Sequence, residues 1–336
     1  MLMGNFARPA ITRSLRTAAA GAAFILLLSG CGGSAGADDA ETNEIRVIQS
    51  NKHDPTELGA EAGDFLDIWP SCDPQMKVSV TSGEKTAEAV AAGSADIGIT
   101  SPNRVIGAIS QGLDASIIGA SMSVFDEYLV VRPDSTAKSF ADLKGKTFAI
   151  SSFGSAGDYA TQKLAQQAGW ADTDFKKVTM GSLDGIQAGL KSGTVDAFLW
   201  GGHAAFGLEQ AGSAKVLENV RELIGPNAMT VVFASNKIIK ERPEDVKAFA
   251  ECYYKASGRI MDDESLATKM MVDDWGMDPK LAARIIKEEI PMSSRDGKLT
   301  EDQLKGILEA THFTIKSAAS LTLDDVKKIY KPWQEL

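Results

Sequence analysis

The chain has 336 residues, 44% of them hydrophobic, with 35 Lys and Arg against 45 Asp and Glu. That length suits about two domains of ~150 residues, and the apolar share excludes wholesale disorder. The three basic residues before position 31 lie in a stretch without acids, so the remainder carries 32 basic against 45 acidic residues, a net charge of −13 that repels phosphate backbones and excludes a nucleic-acid partner. Three His and three Cys argue against a zinc cluster or a disulfide-built scaffold, and no cofactor is expected.

Residues 1–30 read as an export signal. Arg8, Arg13 and Arg16 form its positive region, and Thr17 to Leu28 form an apolar run too short to span ~30 Å of hydrocarbon. The run ends in Leu28-Ser29-Gly30-Cys31, which resembles the lipobox of bacterial lipoproteins. The resemblance implies cleavage before Cys31 and diacylation of its sulfur. Residues 31–43 then form a flexible tether, because Gly32-Gly33-Ser34-Ala35-Gly36-Ala37-Asp38-Asp39 has nothing to pack with. No later segment is long and apolar enough to span, so the lipid is the expected membrane contact.

After the tether, short apolar strands alternate with helical patterns, which predicts an α/β fold. The strand-like runs are Ile45–Gln49, Lys77–Thr81, Asp96–Thr100, Ser116–Ala120, Tyr128–Arg132, Lys146–Ser151, Lys177–Met180, Val195–Trp200 and Met229–Ala234. Helical patterns between them cover Glu84–Ala92, Asn103–Gln111, Ala156–Ala168, Leu183–Lys191 and His203–Gln210. From Pro243 the pattern is helical to the end: Pro243–Met261, Leu266–Trp275, Pro279–Ile290, Glu301–His312 and Leu323–Trp333. Thr300-Glu301-Asp302-Gln303 has the form of a capping box, and Pro243 and Pro279 suit first helical turns. Trp69, in the irregular stretch Asp64–Pro74, receives no assignment. Cys72 and Cys252 either pair in an oxidising compartment or remain two buried thiols.

Two segments echo one another. Ala92-Gly93-Ser94-Ala95-Asp96-Ile97 and Ser192-Gly193-Thr194-Val195-Asp196-Ala197 both read helix, Gly, two residues, Asp, strand, 100 positions apart. They are expected to be equivalent corners of two lobes, each with Gly ending a helix in the left-handed region.

The run Ser139-Phe140-Ala141-Asp142-Leu143-Lys144-Gly145-Lys146 resembles the opening of the second lobe in bacterial solute-binding proteins of ABC importers. Ser152-Phe153-Gly154-Ser155 and Gly193-Thr194-Val195-Asp196-Ala197 continue the likeness, which extends over about residues 44 to 330 and points to the nitrate/sulfonate/taurine group, akin to the thiamine-pyrimidine binding proteins. One departure stands out. Where much of the family has an acidic-proline pair after the strand Val195–Trp200, this chain has Gly201-Gly202-His203. The resemblance implies an α/β, two-lobe periplasmic-binding-protein fold of type II, with two hinge crossings and C-terminal helices. Lobe 1 would be 44–129 plus 232–336, lobe 2 would be 130–231, and the crossings would lie near Tyr128–Val131 and Val231–Ala234. It further implies a monomer that captures a small organic solute, a sulfonate-like oxyanion or a pyrimidine-like heterocycle, and delivers it to ABC permease subunits.

In open α/β sheets a ligand binds beyond the carboxyl ends of strands, where helix starts present unpaired N–H groups. That rule selects Ser50 and Asn51 after the first strand, Ser82 after the second, and Thr100 and Ser101 after the third. In the second lobe it selects Ser152, Phe153, Gly154, Ser155, Trp200 and His203. Each hydroxyl is also an ordinary N-cap candidate, and Phe153 and Trp200 serve equally as ligand-stacking or interior rings. Lys52 and Arg104 are charged neighbours of the same loops. No catalytic set assembles: there is no GxSxG elbow, HExxH, Walker loop or GxGxxG. The alternatives to a transport protein are a ligand-presenting sensor and, behind it, an enzyme on the same scaffold.

Overall fold

A computed structural model describes residues 44–336; the leader, Cys31 and the tether lie outside the described residues. Two five-stranded sheets carry the fold. The first holds β1 (Glu44–Gln49), β2 (Gln75–Val80), β3 (Ile97–Thr100), β4 (Ala115–Met122) and β10 (Thr230–Ser235), in the order β2-β1-β3-β10-β4. The second holds β5 (Tyr128–Val131), β6 (Thr147–Ile150), β7 (Lys176–Thr179), β8 (Ala197–Trp200) and β9 (Lys215–Asn219), in the order β7-β6-β8-β5-β9. In each sheet the fourth strand, β10 or β5, runs antiparallel to both neighbours.

Central strands are largely apolar and buried because helices cover both faces. Every residue of β3 and of β5 is buried. Strand β9 is absent from the sequence reading. It lies at a sheet edge, where Lys215 and Glu218 bracket only two apolar residues.

Five helices follow the strands as expected, with boundaries moved by a residue or two: α2 (Gly83–Ala91), α3 (Pro102–Ser110), α4 (Ala156–Gln167), α5 (Leu183–Ser192) and α6 (Gly202–Gln210). Three shorter helices had no sequence signal: α1 (Leu58–Phe65), α7 (Arg221–Ile224) and α8 (Asn236–Glu241). The C-terminal helices are α9 (Pro243–Asp262), α10 (Glu264–Lys269), α11 (Pro279–Glu288), α12 (Glu301–Thr314) and α13 (Leu323–Ile329). Helix α10 continues into a π-helical turn at Met270–Asp274. The capping box opens α12, with Thr300 N donating to Gln303 Oε1 at 2.7 Å and Gln303 N donating to Thr300 Oγ1 at 3.2 Å. Trp69 is buried and stacks on Phe249 of α9, with ring centroids 6.3 Å apart. Beside it, Cys72 and Cys252 form a disulfide that ties the start of β2 to α9.

The echoed corners are structural equivalents. Gly93 and Gly193 have φ of 70° and 75°, which a side chain would oppose. Asp96 Oδ2 accepts from Arg46 N at 3.0 Å, and Asp196 Oδ2 accepts from Thr147 N at 3.0 Å. Each carboxylate therefore locks its strand beside the parallel strand that precedes it.

The segments expected as crossings are themselves strands, β5 in the second sheet and β10 in the first. The chain passes between the sheets just ahead of them, at residues 123–127 and 220–229. The C-terminal helices are not confined to the first lobe. Arg284 of α11 lies 3.4 Å over the Phe206 ring of α6 and pairs with Glu209 at 3.0 Å. On α12, Glu309 accepts from Lys163 at 2.6 Å and from Tyr159 at 3.2 Å, both on α4.

Candidate functional site

The carboxyl ends of both sheets face one cleft of about 550 Å³, a volume suited to a small organic molecule. The N-cap residues of five helices line it: Ser82 (α2), Ser101 (α3), Ser155 (α4), Ser182 (α5) and Gly201 (α6). Their hydrogen bonding divides them. Ser155 accepts from Asp158 N at 3.2 Å and Ser182 from Gly185 N at 3.2 Å, so both are spent on capping. The start of α6 is held by Asp126, whose Oδ2 accepts from Gly202 N at 3.4 Å. Ser82 and Ser101 make no capping bond, so the first N–H groups of α2 and α3 have no side-chain acceptor. Thr100 Oγ1 and Ser101 Oγ, both buried, also have no hydrogen-bond partner among the described residues.

Nine of the eleven residues selected for ligand contact line this cleft: Ser50, Asn51, Ser82, Thr100, Ser101, Ser152, Ser155, Trp200 and His203. Lys52 and Arg104 line it as well. Ser50 is committed elsewhere, since its N–H donates to Glu57 Oε2 at 3.0 Å and its hydroxyl to Glu57 Oε1. Phe153 and Gly154 are not in the lining. Phe153 is 66% exposed, with Lys177 Nζ 5.5 Å from its ring centroid. Gly154, with φ of 81°, sits in the seam between lobes, and its carbonyl accepts from Asn103 Nδ2 of α3. A Cβ there would lie 3.1 Å from Ile315 Cδ1. The glycine therefore allows the lobes to meet, and it does not border the cleft space.

Sequence reasoning missed the acidic floor. Asp54, Glu57 and Glu127 line the cleft, and all three are nearly inaccessible to solvent. Burial pushes the Glu57 and Glu127 carboxyls well above the usual carboxylate range; nearby Asp126 adds to the effect on Glu127 and His203 opposes it. His203 Nδ1 lies 3.4 Å from Glu289 Oε2, at the end of α11, and 3.9 Å from Asp54 Oδ1. Burial alone would lower its imidazole pKa, but Asp54 and Glu289 outweigh that and raise it to about 9. A signal for this floor existed. Asp126-Glu127 directly precedes the wholly apolar run Tyr128–Val131, and Asp54 precedes a proline at a helix start. Ser182 was legible too, because it is the echo of Ser82 one hundred positions on.

Two lobes of like strand order, crossed twice by the chain and facing across a polar cleft, define a periplasmic-binding-protein fold of type II. The chain belongs to the NMT1/THI5-like family, which matches residues 76–265. No curated protein sequence matches it. Among solved structures it is similar to the alkanesulfonate-binding protein SsuA from Xanthomonas axonopodis pv. citri bound to MOPS, at 19% identity over 86% of this chain and 98% of that one, TM-score 0.73. It is also similar to the periplasmic aliphatic sulphonate binding protein SsuA from Escherichia coli, at 17% identity over 86% and 92%, TM-score 0.71. The desulfurization enzyme DSZB shares the fold at 17% identity over 86% and 96%, TM-score 0.59. At these identities the likeness speaks for the fold alone. Among the described residues, no helix is long and apolar enough to cross a membrane.

Proposed function

We propose that this chain is an exported, lipid-anchored solute-binding protein that captures a small organic solute between two lobes and delivers it to the permease of an ABC importer. The solute is a sulfonate-like oxyanion or a pyrimidine-like heterocycle. The observation that carries this reading is the convergence of five helix starts, drawn from both lobes, on one cleft of about 550 Å³. The starts of α2 and α3, which no N-cap side chain satisfies, supply fixed N–H donors at no cost in side-chain ordering. The reading assigns residues 1–30 to the signal, 31–43 to the tether with Cys31 lipidated, 44–129 plus 232–336 to one lobe and 130–231 to the other. The body acts as a monomer. The chemistry is reversible capture, in which contacts made only with both lobes offset the cost of closure.

The test is a thermal-shift screen of a soluble domain beginning near Ala40 against alkanesulfonates and pyrimidines. A ligand at about 100 times its Kd adds roughly 2.7 kcal/mol of stability. Silence from both sets removes the solute reading. Chemical conversion of a bound compound moves the chain to the enzyme class that DSZB represents. For the anchor, Cys31→Ala is expected to release the protein from membranes, and unchanged membrane fractionation of that variant counts against lipidation.

A further inference from the structure

We infer that helix α12 is a strap between the lobes, and that Glu309 on it is a positioning residue that sets how readily the cleft opens. This rests on the reading of the cleft as a solute site that works by closure, and it adds a control point outside the cleft.

Helix α12 contributes to both lobe cores. Leu304 and Ile307 join the core cluster that holds Ile117 and Val231 of the first sheet. Ala310, less than one turn on, joins the cluster that holds Leu129 and Leu199 of the second. The helix starts at the crossings. Gln303 Nε2 donates to the Ser123 carbonyl in one of them, and a Cβ on Gly306 would lie 2.0 Å from the Pro226 carbonyl oxygen in the other. Its far end reaches the seam. Thr314 Oγ1 accepts from Asn103 Nδ2 at 3.2 Å. Ile315 Cδ1 lies 3.2 Å from an ideal Cβ on Gly107 of the first lobe and 3.1 Å from one on Gly154 of the second.

The chain beyond α12 returns to the first lobe, where Lys331 N donates to the Ile117 carbonyl at 2.8 Å. With Leu304 and Ile307 set in the same lobe, α12 travels with it, and the face toward α4 is the one that parts when the cleft opens. Glu309 is the shared acceptor on that face, taking Lys163 Nζ at 2.6 Å and the Tyr159 hydroxyl at 3.2 Å. Phe313 meets the Tyr159 ring at a steep angle, with centroids 5.7 Å apart. Lys163 and Tyr159 are sheltered, with 12% of the lysine side chain and 1% of the tyrosine exposed, so the carboxylate faces its donors away from most of the solvent. Glu309 is not in the lining of the cleft. A contact made only while the lobes are together raises the closed population, and affinity follows that population.

E309A in the full chain tests this. Alanine is the better helix former, so α12 itself gains no reason to fray. Amide exchange of the ligand-free chain is expected to quicken about fivefold at residues 152–157, on the far side of the seam from the substitution. E309Q keeps a carbonyl acceptor in place and is expected to fall between E309A and wild type. Ethanesulfonate and 2-methylpyrimidine serve as binding probes, and whichever binds is expected to be held about fivefold more weakly by E309A. Exchange that quickens only within α12, or at neither place, assigns Glu309 to helix packing and overturns the inference, as does unchanged affinity for a probe that binds. If neither probe binds, the exchange readout alone decides the strap, and the solute reading stands or falls on its own thermal-shift screen.

Discussion

Arg104 of α3 donates its Nη2 to the Ser152 hydroxyl at 2.6 Å, joining the first lobe to the second across the cleft. The residue before it, Asn103, donates to the Gly154 carbonyl. Both belong to the first turn of the helix whose N-cap, Ser101, lines the cleft. On the proposed reading, the helix start that would meet a ligand also carries the groups that join the lobes, and that arrangement would couple occupancy to closure.

The first expectation concerns that clasp. A hydrogen bond to a charged group contributes about 1.5–3 kcal/mol where it is sheltered from solvent. Arg104→Ala is expected to shift the lobes toward an open arrangement and to weaken solute binding by about tenfold or more. Small-angle scattering of the ligand-free domain should report a larger radius of gyration. An unchanged profile in Arg104→Ala and in Asn103→Ala would show that the lobes are held together elsewhere.

Gly154→Val tests the seam in a different way. The glycine has φ of 81°, a region that costs a side-chain-bearing residue roughly 1–2 kcal/mol. The added carbons also meet Ile315 Cδ1, 3.1 Å from the ideal Cβ position. Binding is expected to weaken at least tenfold, because closure is opposed and not because the ligand is displaced. Ile315→Ala in the same chain should recover part of the affinity by removing the collision. If the double variant binds no better than Gly154→Val alone, the loss does not arise at this contact.

How far the molecule was legible in its sequence follows from how local each signal is. Apolar runs such as Ile97–Thr100 and Tyr128–Val131 announced central strands, because burial on both faces demands that composition. The Gly93/Asp96 and Gly193/Asp196 corners announced two lobes, because each corner is set by its own few residues. The strand Lys215–Asn219 and the helix Leu58–Phe65 gave no such sign, since an edge strand is half polar and a two-turn helix has little periodicity to read. The hydroxyl-rich helix starts were visible for the same local reason. The carboxylate floor was legible only piecemeal, because Asp54, Glu57 and Glu127 come from separate places in the chain and meet one another and His203 only in the folded cleft. Phe153 and Gly154 were misplaced because position in a loop does not fix which way that loop faces.

The disulfide is expected to matter for stability and not for affinity. Cys72 and Cys252 join the start of β2 to α9 over a sequence separation of 180, on the side of the first lobe that carries no cleft-lining residue from α9. Removing a native disulfide typically costs about 2–5 kcal/mol. Cys72→Ser with Cys252→Ser, or wild type under reductant, should melt lower while solute affinity stays within about twofold. A melting curve indifferent to reductant would show that the bond contributes little, and a large loss of affinity would show that α9 positions the cleft.

His203, with 15% of its side chain exposed, gives stability a pH dependence of defined sign. Its imidazole faces Glu289 from the end of α11 and Asp54 from the first lobe, with Asp126 adding a further negative charge. In the folded chain its pKa is raised to about 9, above the ordinary value of 6.5. The folded state therefore holds a proton that the unfolded state has released between those values. The stabilisation is complete below about pH 6.5 and disappears as pH rises toward 9, up to roughly 3 kcal/mol in all. Glu289 acts in the same direction at lower pH. Burial raises its carboxyl from 4.5 to about 7, so the folded state again holds the extra proton and loses stability as pH rises. Melting temperatures at pH 6, 7, 8 and 9 should fall steadily for wild type. His203→Gln keeps a polar side chain of similar reach but cannot ionise, so it should melt lower at pH 6 and close the gap by pH 9. A gap of constant size across the series would mean that His203 contributes packing alone, and that its charge plays no part in holding α6 to α11 and the Asp54 loop.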